Sequence, residues 1–182
     1  MNDLSMHVLD IVQNSVSAGA GLININVSEI IERDLLEIEI IDNGKGMSQE
    51  QVDNLTDPFF TTRTTRKVGM GIPLFKQTAQ QSGGDLFIES ELGVGTKIKA
   101  TFQFSSIDRP PLGDIANAVV LLASSNPKIR FVFNYIFNKR YYVFDTDEIN
   151  KILDGMPINN PSIVVFLNEM LRDNIKAIKC DK

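Results

Sequence analysis

Hydrophobic residues recur at three- and four-residue intervals at the start of the chain: Leu4, Val8, Ile11 and Val12, with Ser15 continuing the row. That spacing predicts an amphipathic helix over residues 3–18, ended by Ala18-Gly19-Ala20-Gly21, where glycine supplies the left-handed conformation of a C-terminal cap. The rhythm then changes to two. Ile23, Ile25 and Val27 alternate with Asn24, Asn26 and Ser28, and Leu36, Ile38 and Ile40 alternate with Glu37 and Glu39. This predicts strands over 22–30 and 36–42, with a turn at Glu32-Arg33-Asp34, in a sheet with one wet face. A short helix opens at Ser48 with a capping-box pattern and is stopped by Asp57-Pro58-Phe59-Phe60. A helix over 70–81 ends at Ser82-Gly83-Gly84, and strands 85–90 and 96–104 flank a glycine-rich hairpin turn. The order α-β-β-α-loop-α-β-β predicts an α+β fold, a two-layer sandwich with helices on one face of a mixed sheet.

Asp108-Arg109-Pro110-Pro111 marks a boundary, so the chain is expected to divide into residues 1–106, a linker 107–111 and a second unit 112–182. The second unit is predicted as a small α-β-β-α-α extension. It comprises a helix over 114–124 and a hairpin of 129–136 with 140–144, turning at Asn138-Lys139. Helices over 147–154, capped by Thr146, and 162–176, started by Pro161, complete it. On the hairpin Phe131, Phe133, Tyr135 and Phe137 share one face, answered by Tyr141, Tyr142 and Phe144. They are either core for the surrounding helices or a surface for a partner protein.

Three polar blocks interrupt these apolar elements: Asp10-Ile11-Val12-Gln13-Asn14, Asp42-Asn43-Gly44-Lys45-Gly46-Met47 and Gly69-Met70-Gly71-Ile72-Pro73-Leu74. On the first helix Asp3, His7, Asp10, Asn14 and Ser17 form a polar stripe opposite the apolar face. A solvated helix face looks the same, but Asn14 is a poor helix former at mid-helix. Its amide oxygen suits a Mg²⁺ shell otherwise made of phosphate oxygens and water. Asp10, one turn earlier, is placed either to polarise a water or to hold the metal's second shell. Asp42 ends an apolar strand, where a buried unpaired carboxylate is costly. A purine's exocyclic amine would satisfy it and select adenine over guanine. Gly44 and Gly46 would let the backbone approach a base, although Asp-Asn-Gly is also an ordinary strand-ending turn. Gly69 and Gly71, just before a helix, would expose backbone amides to a polyphosphate.

Composition narrows the partners. With 182 residues, 43% hydrophobic and 23% charged, this is the make-up of an ordinary soluble globular protein. The net charge of −5 is uneven: residues 1–106 carry −6 and residues 107–182 carry +1. An acidic half without a basic stripe argues against nucleic acid. His7 and Cys180 are the sole histidine and cysteine, which removes His-cluster and His-Cys zinc sites and any disulfide framework. There is no P-loop motif, no basic n-region in Met1-Asn2-Asp3 and no apolar run of membrane-spanning length, so a cytoplasmic setting away from membranes is expected.

Taken together the three blocks resemble the ATP-binding domain shared by gyrases, heat-shock chaperone ATPases, mismatch-repair ATPases and sensor histidine kinases, the GHKL or Bergerat fold. Asp10 to Asn14 resembles the N box, Asp42 to Met47 the G1 box, residues 57–62 the F box and Gly69 to Leu74 the G2 box. Residues 83–104 resemble the closing hairpin of the histidine-kinase branch. The resemblance covers residues 1–104 and implies Bergerat architecture with ATP and Mg²⁺ as cofactors. It implies Asn14 on Mg²⁺, Asp42 on the adenine amine directly and through water, and Gly46 and Thr96 at the adenine end. Gly69 and Gly71 would shape the phosphate end. Gly44, Met47 and Met70 complete the implied nucleotide-binding set, and Asp10 is the implied catalytic acid. Phe59 and Phe60 would pack the base of a lid over 61–68. Lys67, or Arg63 or Arg66, would reach the phosphates, or all three are solvated loop cations.

Two departures shape the expected function. The hydrolysing branches carry Glu where Asp10 stands, so hydrolysis is expected to be slow. The N box begins at residue 10, so the phosphoacceptor domain of a sensor kinase is expected on a separate protein. His7 is expected to be a helix residue bonded to Asp3 or Asp10 rather than a phosphoacceptor. The expectation is a stand-alone kinase-like or ATP-switched module acting on a separate protein; a slow ATPase using Asp10 and a pure ATP sensor are the alternatives. A homodimer stays open. The lid, with no apolar residue from Thr61 to Lys67, is expected to order only on phosphate.

Overall fold

The computed structural model describes residues 2–57 and 70–180. In chain order the elements are α1 (Leu4–Ser17), β1 (Leu22–Ile30), a 3₁₀ turn (Ile31–Arg33), β2 (Leu35–Asp42), α2 (Gln49–Thr56), α3 (Gly71–Gln81), β3 (Leu86–Glu91) and β4 (Gly95–Gln103). They continue with α4 (Ile115–Ser125), β5 (Arg130–Phe137), β6 (Arg140–Asp145), α5 (Thr146–Leu153) and α6 (Pro161–Lys179). The predicted α+β class and the mixed sheet with one wet face are both present.

All six strands form one sheet in the order β3-β4-β2-β1-β5-β6, in which only β1 and β5 run parallel. The register explains why alternation was so clean. One row across the sheet is Ile88, Ile98, Ile40, Ile25, Phe133 and Phe144, apolar on every strand. The neighbouring row on the other face is Phe87, Lys99, Glu39, Asn26, Asn134 and Val143. Its centre is a polar ladder: Asn134 Nδ2 donates to Asn26 Oδ1 at 2.7 Å, and Asn26 Nδ2 donates to Glu39 Oε1 at 3.2 Å. A shift of one residue would put the ladder into the core, so register is strongly specified.

Helix α1 presents Leu4, Val8, Ile11 and Val12 to the apolar rows, and α3 and α4 pack beside it. The segment expected as a separate unit, 112–182, is built onto the same sheet through β5, and its aromatic residues join one core. Phe131, Phe133 and Tyr135 are fully buried and Phe144 nearly so, which places the hairpin's inner face in the core. The stretch read as a linker is docked: Leu4 N and Ser5 N, unpaired at the start of α1, donate to Pro111 O and Leu112 O at 2.9 Å.

Helix starts follow side-chain chemistry. Asp3 caps α1, Ser48 and Gln51 form a reciprocal capping box on α2, and Asp114 caps α4. Asn160 caps α6 with Pro161 in its first turn, and that helix runs on to Lys179, past the expected end. One expected cap is corrected. Asp145, not Thr146, caps α5, accepting from Asp147 N at 3.0 Å, while the Thr146 hydroxyl accepts from Phe131 N at 3.0 Å. Both residue types can cap, and the tie to β5 decides which one does.

Candidate functional site

The three polar blocks converge where α1, the end of β2 and the start of α3 meet. Asp42 is the last residue of β2, on the helix-facing side of the sheet and half-buried. Its carboxylate is not unpaired, as the sequence suggested. Ser15 Oγ donates to Oδ2 at 2.6 Å, and Gly44 N donates to Oδ1 at 2.9 Å. Each oxygen thus has one donor and keeps accepting capacity beyond it. Ser15 is the member of this cluster that the sequence pattern does not single out. It continues the apolar row of α1 and is buried at 4% exposure. The available signal was its chemistry: a hydroxyl in an otherwise apolar face needs a partner.

The glycines of this block serve chain packing. A Cβ on Gly44 would lie 2.9 Å from Ala18 Cβ, and one on Gly46, at φ +67, would overlap Glu91 O. Asn43 Oδ1 accepts from Gly21 N and Leu22 N at 2.8 and 2.9 Å, tying the loop to the start of β1. Met47 N donates to Ser90 Oγ at 2.8 Å, and Ser90 Oγ lies 2.8 Å from Thr96 Oγ1 and 3.0 Å from Gly95 O. Thr96 is the register partner of Asp42, so the predicted adenine-end residues Asp42, Gly46 and Thr96 stand together, with Met47 beside them. A depression of about 320 Å³ at this end of the sheet is bordered by Asp42, Ser90 and Thr96 and by Ile41, Glu89 and Lys97 of the opposite, solvent-facing row.

The other end of the site is formed by α1 against α3. Asp10 is exposed, and a Cβ on Gly71 would lie 3.4 Å from Asp10 Cβ and 3.8 Å from its Oδ2. The N box and the first residue of α3 are therefore in contact, and a negative group there is favoured by the positive end of the helix. Asn14, one turn along α1 from Asp10, is half-buried, and its amide makes no hydrogen bond among the described residues. Met70 precedes α3 and is 69% exposed. Lys67, Gly69, Phe59, Phe60, Arg63, Arg66 and the expected lid over 61–68 lie outside the described residues.

His7 departs from its expected partners. It is buried at 3% exposure rather than on a solvated stripe, because α3 covers that side of α1. Its ring stacks on Phe75, with centroids 4.9 Å apart and planes 20° from parallel. Nε2 lies 3.3 Å from Thr78 Oγ1, so the partner is Thr78 and neither Asp3 nor Asp10. Nδ1 has no hydrogen-bond partner among the described residues. Burial holds the imidazole below its ordinary pKa of 6.5, against the opposing pull of Asp10 and Asp3.

Residues 2–106 match the family described as histidine kinase-, DNA gyrase B-, and HSP90-like ATPase. Sporulation kinase D of Bacillus subtilis is 29% identical over 101 residues, 54% of this chain and 19% of that protein. Histidine protein kinase DivJ of Caulobacter vibrioides is 37% identical over 68 residues, 35% of this chain and 11% of that protein. The chain therefore matches only a minor part of these relatives' length. Among solved structures, the N-terminal domain of a DNA repair protein superposes with a TM-score of 0.57 at 18% identity, covering 79% of this chain and 52% of that one. That likeness is one of fold.

Proposed function

Because the chain belongs to the histidine kinase-, DNA gyrase B- and HSP90-like ATPase family through residues 2–106, we propose that it is a Mg·ATP-binding, kinase-like or ATP-switched module acting on a separate protein. The observation that carries this reading is Asp42. Ser15 and Gly44 hold the carboxylate with one donor on each oxygen, leaving it able to accept from an amine edge. Adenine offers that amine; guanine offers a carbonyl there and is repelled.

Asn14 supports the metal. Among the described residues no group of three or more His, Cys, Asp or Glu could hold an ion. Magnesium would arrive with the phosphates and take one neutral oxygen from the protein, the donor that Asn14 offers. When bound, the ion offsets phosphate charge. The chain's own residues would orient the base at Asp42 and meet the phosphates at the amino end of α3.

His7 is stacked between α1 and α3, which favours a phosphoacceptor on another molecule over one in this helix. One observation favours a second reading, slow hydrolysis: Asp10 is exposed against Gly71, where a carboxylate would orient a water.

Calorimetry with ATP and GTP tests the first step. ATP should bind in preference, and Asp42→Asn should cost about 1–3 kcal/mol of ATP affinity. Equal affinity for both nucleotides, or none, refutes the pocket. Labelled ATP incubated with captured partner proteins separates the rest: label on a partner supports transfer, and free phosphate that disappears in Asp10→Asn supports hydrolysis.

A further inference from the structure

The sheet has two edges, and they are finished differently. β3 places Glu89 and Glu91 at exposed positions, with α2 packed beside the strand. Carboxylates along an edge resist pairing with a like strand. At the opposite edge β6 exposes Tyr141 at 72% and Val143 at 47%. Among the described residues its backbone pairs with β5 alone. The strand, Arg140-Tyr141-Tyr142-Val143-Phe144-Asp145, contains no proline and no charge between its end residues. Soluble proteins ordinarily blunt such an edge.

We propose that β6 is a homodimer interface: two copies pair antiparallel about a twofold axis at Tyr142 and join their sheets edge to edge. The strand's self-complementarity argues for a second copy as the occupant. A twofold normal to the sheet keeps the inner and outer faces aligned, so opposed residues must both be odd-numbered or both even-numbered. With Tyr142 opposite Tyr142 of the second copy, Tyr141 falls opposite Val143, and Val143 opposite Tyr141. In the same register Lys139, in the hairpin turn, falls opposite Asp145. Aromatic–β-branched and opposite-charge pairs each favour antiparallel association, and the symmetry makes each of them twice.

A slip of two residues in either direction loses these pairs, setting Tyr141 against Asp145 or Lys139 against Val143. Asp145 is already paired with Arg130 at 2.6 Å, so Lys139 of the second copy adds a weaker contact than the tyrosine–valine pairs do. β6 stands three strands from β2, so pairing there leaves Asp42 open.

Analytical ultracentrifugation of the whole chain across low to high micromolar concentration tests this. The native chain should form dimers, and Tyr141→Lys and Val143→Lys should each raise the dimer Kd at least about tenfold. Lys139→Glu should raise it less, by about threefold. At concentrations where both are monomeric, far-ultraviolet circular dichroism and thermal melting should match the native chain, since both apolar positions face solvent in the single chain. Hydrogen exchange over residues 140–144 should slow on concentrating the native chain and not the Val143→Lys variant. A native chain that stays monomeric throughout, or a dimer whose Kd neither lysine substitution changes, overturns the proposal.

Discussion

Asp42 ends β2 and Asp34 immediately precedes it, and the contrast between them extends to the two regions of the molecule. Asp34 is closed: Ser105 N and Ser105 Oγ donate at 2.7 Å and Gln103 Nε2 at 2.9 Å, which holds its carboxyl below the usual range. Asp42 has one donor per oxygen. In residues 112–182 Asp114 and Asp145 follow the closed pattern. Asp114 takes Arg172 at 2.6 Å and Asn117 N at 3.0 Å, and Asp145 takes Arg130 at 2.6 Å and Asp147 N at 3.0 Å. Both carboxyls are lowered, chiefly by their arginine partners. Asp34, Asp114 and Asp145 are saturated. Asp42 keeps accepting capacity beyond its two donors, which is what the proposed nucleotide site requires.

The largest test of this comparison is whether the second region is an appendage or part of the core. Phe133 is fully buried and sits in the apolar row between Ile25 and Phe144. Phe133→Ala should cost about 3–5 kcal/mol in urea unfolding. The loss should appear in one transition reported equally from both regions. A chain ended at residue 106 should fail to fold stably, since β1 would lose its parallel partner and α1 its bonds to Pro111 and Leu112. Two separate transitions, or a stable truncated chain, would restore the picture of two independent units.

Linking the two regions is Glu29, 5% exposed on β1, whose carboxylate meets Lys179 Nζ of α6 at 3.0 Å. Lys179→Met strands that carboxylate in the core. With part of the lysine exposed, the expected loss is about 1–2 kcal/mol, measured by the same unfolding and unaccompanied by any change in ATP selectivity.

Much of this was legible in the chain, and what was not has a common cause. Alternation in 22–42 and the three polar blocks are local signals, and their described residues land on the predicted elements. Ser15 was hidden because its partner Asp42 is 27 residues away, and nothing in a helix period announces a bond across the fold. The joining of β5 to β1 was hidden likewise, since parallel partners so distant leave no turn signature between them. His7 was assigned to a wet stripe because periodicity identifies faces of a helix, not which second helix covers one of them. The aromatic inner face of β5 was legible because its alternation is period two, but on β6 Tyr141, expected to answer it with Tyr142 and Phe144, lies on the opposite face and is 72% exposed.

Ser15→Ala sharpens the distinction between spare and saturated carboxylates. It removes one donor from Asp42 while Gly44 N keeps the other. The carboxylate should stay in place but lose its fixed orientation, weakening ATP binding by about 1 kcal/mol, roughly fivefold. Calorimetry should show that loss with preference for ATP over GTP retained. An unchanged affinity would mean that Gly44 alone orients Asp42.

The smallest expected effect lies where α1 meets α3, and it concerns pH. His7 is buried and its pKa is lowered from 6.5, so the unfolded chain binds its proton more readily than the folded one. As pH falls through 6.5 the unfolded state gains protons first, and stability declines until the folded-state pKa is passed. The lowered carboxyls of Asp34, Asp114 and Asp145 act in the same direction but only below their ordinary value of 3.8, so the two effects separate in pH. His7→Phe keeps a ring against Phe75 while removing the titration, at the cost of the contact with Thr78. Urea midpoints measured from pH 7.5 down to about 5 should fall for the native chain and stay level for His7→Phe. The same pH interval should loosen α1 from α3, raising hydrogen exchange in residues 71–75 before the sheet responds, because the added charge lies between those two helices. Equal slopes for the two proteins would show that acidification acts elsewhere, and would leave His7 as packing alone.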